Sequence, residues 1–435
     1  MSANPLSTFL ADARAALPDN DDDPVDAILD AVRDHLGMEI AFAGRFDGDR
    51  RTFTHIRTKL PVPVVPGDSE PLEDSFCHHI IQGRLPELIH NAFDHELALK
   101  LPFTKALPIG AHLNVPLRLS DGTIYGTFCC LSREADHSLT ERDLNTLKAF
   151  AALAAAQIER KRKNDRELAE ASARIDDILA KEQISPVFQP IHSLVDNKMK
   201  GVESLSRFPR GVPGFDIPSD WFNAAAAIGK GEELELLAVR KVLENLPRLP
   251  KDIYVSINVS PEVAVSGELE PLLRPLPKDR IVVELTEHSK VADFGLLGRA
   301  LDRLRGVARV AIDDVGAGYA GLRHIVDLRP DLLKLDMELT RQVDSDDARH
   351  ALAQALVTFA SRTGSQIIAE GIETAAEAKT LKALKVEYGQ GYFFSRPMPL
   401  IALSHYAMGV TETGNTTRPS RMMDRLPDHL AKKLA

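Results

Sequence analysis

Arg309-Val-Ala-Ile-Asp-Asp-Val-Gly-Ala-Gly-Tyr319 is a short run of strand-forming residues that ends in two adjacent carboxylates, Asp313 and Asp314, and then in a turn carrying Gly316 and Gly318. Strands buried on both faces of a parallel sheet read as unbroken apolar runs, and ligands in such sheets sit beyond the carboxyl ends of the strands. Twin Asp at that point would face a site. The plainer alternative is that one Asp caps the following helix, and the pair alone does not separate the two. Other strand ends decide it.

Strand-like runs recur at 187–194, 201–208, 254–259, 281–287, 309–314, 332–339, 366–373 and 388–394, with helical patterns between them. Eight such runs predict an α/β fold whose C-terminal part is a (β/α)8 TIM-like barrel, with its site at the strands' carboxyl ends. The gap before residue 201 is too short for a regular repeat and the gap before 254 too long, so the order of the first elements stays open. Polar residues stand in or just after six successive runs: Glu203, Asn258, Glu284, Asp313 with Asp314, Lys334 and Glu370. A lone case would read as a helix cap or an exposed strand position. Six in succession predict one acidic mouth. Parity agrees, since Glu203, Leu205 and Arg207 share one face of their run, as do Ala311 and Asp313.

Carboxylates converging in one mouth repel one another and take up protons unless a cation holds them. Oxygen donors with one Asn amide suit Mg²⁺ or Mn²⁺, and no His or Cys cluster points to zinc. Two ions about 3.5 to 4 Å apart, bridged by a shared Asp, would use both Asp313 and Asp314. Such a pair activates water and steadies an in-line displacement at phosphorus. Lys334 would lower the pKa of the attacking water or neutralise charge in the transition state. Arg207 and Gln189 lie where a phosphate and a planar base would be held. The competing chemistry for such a barrel is a Mg²⁺-dependent lyase that abstracts a proton next to a carboxylate, and it leaves the twin Asp, Arg207 and Gln390 unexplained.

The ordered motifs Phe188-Gln-Pro-Ile, Gly201-Val-Glu-Ser-Leu-Ser-Arg207, Asn258, Glu284-Leu-Thr-Glu287, Asp313-Asp314-Val-Gly-Ala-Gly, Lys334-Leu-Asp336, Ala369-Glu-Gly-Ile-Glu373 and Gly389-Gln-Gly-Tyr392 resemble an EAL-domain cyclic di-GMP phosphodiesterase. The resemblance spans 184–399, within a barrel domain read as 184–409. It implies hydrolysis of one phosphodiester of cyclic di-GMP to linear pGpG. It also implies that Glu203, Asn258, Glu284 and Asp313 ligate one ion, and that Asp313 bridges to a second ion held with Asp314. Glu370 would bind water on the metal or act as general base, and Lys334 would assist the nucleophilic water. Gln189, Leu205, Arg207 and Gln390 would hold the substrate, while Glu287, Asp336 and Glu373 would support the site or its loops. The chain departs from the family at Ser204, where Ala is usual, and at Val315 and Ala317, where Phe and Thr are usual. In the family that last loop links the dimer interface to the second metal. No GGDEF-like cyclase motif lies upstream, so the output would be degradation only. A catalytically silent cyclic di-GMP receptor is the alternative, although every expected metal ligand is present.

Ahead of the barrel, residues 23–36 place Ile28, Leu29, Val32 and Leu36 at helical spacing, ending at Gly37. Runs at 40–46 and 51–60 read as strands and 74–82 as a helix, while 112–120 and 123–131 alternate around Asp121-Gly122, a strong hairpin signal. Pro116 suggests an edge or a bulge. Asp74-Ser-Phe-Cys-His-His, Leu85-Pro-Glu-Leu-Ile, Asn114-Val-Pro-Leu and Tyr125-Gly-Thr-Phe-Cys-Cys resemble a GAF domain, which implies an α+β sensor over 23–139 with a pocket for an unknown small molecule. Cys77, His78 and His79 are either pocket residues or plain core and surface. Cys129 and Cys130 alternate sides of one strand, so both cannot share a site, and buried inert thiols are expected.

Residues 140–183 carry Leu147, Ala151, Ala154, Ile158, Lys161, Asp165, Leu168, Ser172, Ile175 and Leu179 at 3,4 spacing. A connector helix is expected there, either a parallel two-stranded coil joining a homodimer or a lateral helix capping the first domain. Lys161 and Asp165 interrupt the seam, and the basic run around them reads as a solvated helix face. Residues 1–22 form an N-terminal segment and 410–435 a mobile tail.

Across the 435 residues the formal net charge is -10, which argues against a duplex nucleic-acid partner held by bulk positive charge. Three Cys offer no disulfide framework, the longest nearly apolar stretch (149–158) is half of the ~20 residues a membrane span needs, and the first 17 residues lack a leader pattern. A cytoplasmic protein without membrane insertion is expected.

Overall fold

In a computed structural model of the chain, the described residues are 23–286, 293–316 and 321–409. The 1–22 segment, Glu287, Ala317, Gly318, Tyr319 and the 410–435 tail lie outside them. The chain divides into two units between Glu167 and Leu168.

In the first unit the four expected runs become β1 (Ile40–Asp47), β2 (Arg50–Thr58), β5 (His112–Arg118) and β6 (Ile124–Leu131), and two short edge strands that no run announced, β3 (Ser69–Pro71) and β4 (Leu88–Ile89), join them. They form one antiparallel sheet in the order β3-β2-β1-β6-β5-β4. Gly122, at φ 83°, makes the β5–β6 turn, and Asp121 Oδ1 accepts from Thr123 N at 2.8 Å. Pro116 sits where β5 has β6 on one side and the short β4 has already ended, so its missing N–H breaks no pairing.

Because side chains alternate across a sheet, each face builds its own core. One face packs Leu113, Val115, Phe128 and Cys130 beneath the helices Pro24–His35 and Glu141–Lys181. The other packs Phe42, Phe53 and Cys129 beneath the helix Phe76–Ile81 and its neighbours. The expected separation of Cys129 from Cys130 is therefore realised.

Thr140 and Asp143 cap the start of the helix Glu141–Lys181, with Thr140 N and Oγ1 both 2.8 Å from Asp143 Oδ2. Its residues Leu144, Leu147, Ala151, Ala154 and Ile158 are buried on the sheet. The early positions of the 3,4 seam thus cover the first unit's own apolar face, as the lateral alternative requires, because that face would otherwise meet water. Residues 161–170 are all exposed, and Ile175 and Ile178 are buried again in the second unit, with Phe215, Trp221 and Leu234.

The second unit closes eight strands into a barrel: β7 (Ser185–Ser193), β8 (Met199–Arg207), β9 (Tyr254–Val259), β10 (Ile281–Thr286), β11 (Arg309–Val315), β12 (Leu332–Leu335), β13 (Gln366–Ala369) and β14 (Tyr388–Gly389). All eight expected runs are present. The two irregular gaps have a structural cause. β7 runs antiparallel to both β8 and β14, so the short gap is a hairpin, and the long gap holds two helices, Pro218–Ala227 and Gly231–Asn245. The other strand pairs are parallel. Among the described residues, no helix is long and apolar enough to cross a membrane.

Candidate metal centre at the barrel mouth

Inside the barrel an apolar plug is built from Ile191, Tyr254, Val282, Ala311, Leu332 and Ile368, with Tyr388 packed against it. Gly201 completes this layer as a gap, since a Cβ there would lie 2.4 Å from the Tyr254 ring. Side chains on one face of a strand recur every second residue. One step above the plug therefore come Ser256, Glu284, Asp313, Lys334, Glu370, Gln390 and Glu203, and, on the reversed β7, Gln189. The mouth is the layer immediately above the plug, which explains why the polar residues of so many strands meet.

Lys334 is fully buried at the centre of this layer. Its Nζ lies 2.8 Å from Glu370 Oε1, 3.0 Å from Glu284 Oε2, 3.2 Å from Asp313 Oδ2 and 3.6 Å from Glu203 Oε1. Burial pulls the ammonium's pKa down, but Asp313, Glu203, Glu284 and Glu370 outweigh it and hold the pKa well above the usual lysine value. One ammonium cannot neutralise four carboxylates. Burial pushes Glu284 up to about 8 even against the attraction of Lys334, with Glu203 and Asp313 adding repulsion. Glu370 is likewise raised well above the carboxylate range, by burial and then by Asp313 and Glu203 against the pull of Lys334. Burial also opposes ionisation of Glu203, but the Lys334 charge and the bonds from Asn258 Nδ2 (3.1 Å) and Gln390 Nε2 (2.7 Å) lower its pKa. At neutral pH the cluster thus retains protons, as crowded carboxylates must.

Two carboxylate groups have ligand atoms within 4.8 Å of one another: Glu203, Glu284 and Asp313 in one, Asp313, Asp314 and Glu370 in the other. Asp313 belongs to both. All donors are oxygens, with the Asn258 amide alongside, and so fit hard divalent cations. Neighbours on a regular strand would point to opposite faces. Here the β11–β12 register breaks between Ile312 and Val315, and Asp314 adopts φ 58° while its N–H donates to Asp313 Oδ1 at 2.9 Å. The bulge and the left-handed backbone turn both carboxylates toward one site.

The remaining expected residues are placed around this layer. Gln390 Nε2 also donates to Glu370 Oε1 at 2.8 Å, so Gln390 braces two carboxylates while its own Oε1 is buried without a protein partner. Gln189 Nε2 donates to the Ser395 carbonyl at 3.2 Å. Leu205, Arg207 and Asn258 line a 460 Å³ cavity with Phe222 and Glu235. Among the described residues, Arg207 makes no ion pair; its Nη1 bonds only the Ser206 carbonyl. Asp336 caps the helix Met337–Thr340 and Glu373 pairs with Arg341 at 2.9 Å, both outside the carboxylate ring.

Two residues, Ser256 and Glu235, were not singled out from the sequence, whereas Ser204 was noted there as a departure from the family. Ser256 donates to Glu284 Oε1, and its parity with Asn258 was the available signal. Ser204, the departure from the family's Ala, turns away from the mouth and donates to the Ser256 carbonyl at 2.7 Å. Glu235, on a helix far from any motif, accepts from Ser260 N at 2.8 Å.

Both units resemble known protein families. The EAL domain family matches residues 169–397, and a GAF domain family matches 21–159. The probable cyclic di-GMP phosphodiesterase PdeB of Escherichia coli (strain K12) is 30% identical over 237 residues, covering 52% of this chain and 45% of that protein. The cyclic di-GMP phosphodiesterase NbdA of Pseudomonas aeruginosa is 28% identical over 240 residues, covering 52% of this chain and 30% of that protein. The chain thus spans less than half the length of either relative. The cGMP-bound structure of the EAL enzyme Bd1971 superposes with a TM-score of 0.50 at 18% identity, covering 85% of this chain and 93% of that one, a likeness of fold. With the EAL match extending over more than half of its residues, the protein belongs to the EAL domain family and carries a GAF domain ahead of the barrel.

Proposed function

We propose that this protein is a metal-dependent phosphodiesterase that opens one ester of cyclic di-GMP to give linear pGpG, under the control of its GAF domain. The observation that carries this reading is the pair of carboxylate groups joined at Asp313. Glu203, Asn258, Glu284 and Asp313 would hold one Mg²⁺ or Mn²⁺, and Asp313 with Asp314 a second, with Glu370 beside them. When bound, two such ions lower the pKa of water and neutralise charge at phosphorus.

The chain's own residues have separate tasks in this proposal. Arg207, without an ionic partner among the described residues, binds a phosphate of the substrate; Leu205, Gln189 and Gln390 position the rest of it. Glu370, beside Asp313 and Asp314, accepts a proton from the attacking water once ionised. Lys334 contributes a buried positive charge as negative charge accumulates on the phosphoryl oxygens. The plug beneath closes the site to water from below. A homodimer, a small molecule in the GAF domain and a cytoplasmic location belong to the same proposal, and native mass spectrometry of the purified protein reads the first two directly.

Incubating the protein with cyclic di-GMP and Mn²⁺ and resolving the products by chromatography tests the activity. Formation of pGpG that is lost in Glu203→Ala is the expected result. Binding without pGpG would replace the enzyme with a receptor, and full turnover by Glu203→Ala would refute the site.

A further inference from the structure

Cys77 and Cys129 are 52 residues apart in the sequence, yet their sulfurs lie 3.9 Å from each other in the core of the first unit. Cys77 is fully buried, and its Sγ receives Arg51 Nη1 at 2.9 Å, Thr127 Oγ1 at 3.0 Å and Asn114 Nδ2 at 3.3 Å. Three donors and a guanidinium aimed at one sulfur suit a thiolate, which accepts hydrogen bonds far better than a thiol. Arg51 is itself 2% exposed and continues outward to Glu70 at 2.6 Å, whose side chain is 24% exposed, so the buried charges connect to the surface. Two atoms of the same cluster, Arg51 Nε and Asn114 Oδ1, are buried without a protein partner. One donates and one accepts beside the sulfur, the pattern that a small molecule carrying O–H groups satisfies. A metal cation is disfavoured there by the arginine.

We propose that Cys77 and Cys129 form a dithiol that reduces hydroperoxides and closes to an intramolecular disulfide. The Cys77 thiolate attacks one peroxide oxygen, the O–O bond breaks, and Cys77 becomes a sulfenic acid as hydroxide leaves. The Cys129 sulfur then attacks the Cys77 sulfur, the S–O bond breaks, and the Cys129 proton departs with the hydroxyl as water. The two sulfurs together give up two electrons, and hydrogen peroxide becomes one water and one hydroxide, which takes a proton from solvent. Bond formation requires the sulfurs to close from 3.9 Å to about 2.05 Å, a movement of side chains already in contact. Burial raises the Cys77 pKa, but the bond from Cys129, the Arg51 charge and the bond from Thr127 take it well below the ordinary thiol value. Cys130, on the opposite face of the same strand, has only burial and a distant arginine, and its thiol is raised. Disulfide formation would withdraw the thiolate from Arg51 and leave the guanidinium with Glu70 as its charged partner, over the Phe53 ring, a change at the centre of the sensor domain.

The test uses the full chain, reduced, treated with hydrogen peroxide, alkylated and mapped as peptides without reduction. A Cys77–Cys129 linkage with Cys130 still free is expected. Cys129→Ala should stop at a sulfenic acid on Cys77 that dimedone traps. Arg51→Met should slow the reaction about tenfold or more by removing the charge that favours the thiolate, and Arg51→Lys should recover part of that rate. Folding of each variant is checked by circular dichroism. A linkage through Cys130, oxidation only after unfolding, or an unchanged rate in folded Arg51→Met would overturn the proposal. The readout is thiol chemistry and does not depend on whether the second unit hydrolyses anything.

Discussion

Two pairs of identical neighbours, Asp313–Asp314 and Cys129–Cys130, lie on strands of the two units and end up in opposite arrangements. Cys129 and Cys130 obey the two-residue period and enter different cores. Asp313 and Asp314 escape it, because the strand bulges and Asp314 takes a left-handed backbone. A regular strand therefore separates two like residues, and a strained one unites them. The difference marks where backbone cost is accepted for a site, since a non-glycine at positive φ is stable only when its surroundings hold it.

The largest test of this contrast is Asp313→Asn, which takes a carboxylate from both groups at once. Turnover of cyclic di-GMP with Mn²⁺ should fall on the order of 10³-fold with circular dichroism unchanged. Asp314 separates backbone from ligand. Asp314→Gly relieves the positive φ and should raise stability by up to about 1 kcal/mol in denaturant titration, while turnover falls about 100-fold. Asp314→Ala should lose turnover equally and be less stable than Asp314→Gly. Equal stability of the two would remove backbone strain from the account.

The protonation of the mouth gives a smaller effect with a definite sign. Glu284 has its pKa raised to about 8 in the folded chain, above the usual 4.5, and Glu370 is shifted the same way. Above pH 4.5 the unfolded chain ionises these groups before the folded chain does. The Glu284 contribution is fully present below 4.5 and is lost as pH rises through about 8, and that of Glu370 is lost in the same direction. The Tm of metal-free protein should decline across that window, and saturating Mn²⁺ should flatten the decline, with protons released into weakly buffered solution on binding. The smallest effect belongs to the regular pair: Cys130→Ala should cost about 1 kcal/mol in stability and leave both turnover and peroxide reactivity unchanged.

Much of the barrel was readable before folding. Each strand appears as an apolar run, and the residues Glu203, Asn258, Glu284, Asp313, Lys334 and Glu370 are visible as polar interruptions at its far end. The rule behind them, one step above the plug, needs the plug residues Tyr254, Val282, Ala311, Leu332 and Ile368 to be known as a layer, which only barrel closure defines. The role of Lys334 was half legible. A lysine near carboxylates was expected to help water react, whereas its position as counter-ion to four of them depends on distances that spacing does not carry. Along the helix Glu141–Lys181 the 3,4 spacing was correctly helical, but it could not tell a sheet face from a second helix as the surface to be covered. Both demand the same apolar stripe.

The amino-acid sequence by itself determined the eight barrel strands, the order of the polar residues and the opposite facing of Cys129 and Cys130, because these follow from apolar runs and a two-residue period acting over neighbours. Tertiary structure alone decided the reversed β7, the bulge that brings Asp314 beside Asp313, and the meeting of Arg51, Cys77 and Cys129. Those depend on contacts between residues far apart in the chain, whose free energy no local pattern contains.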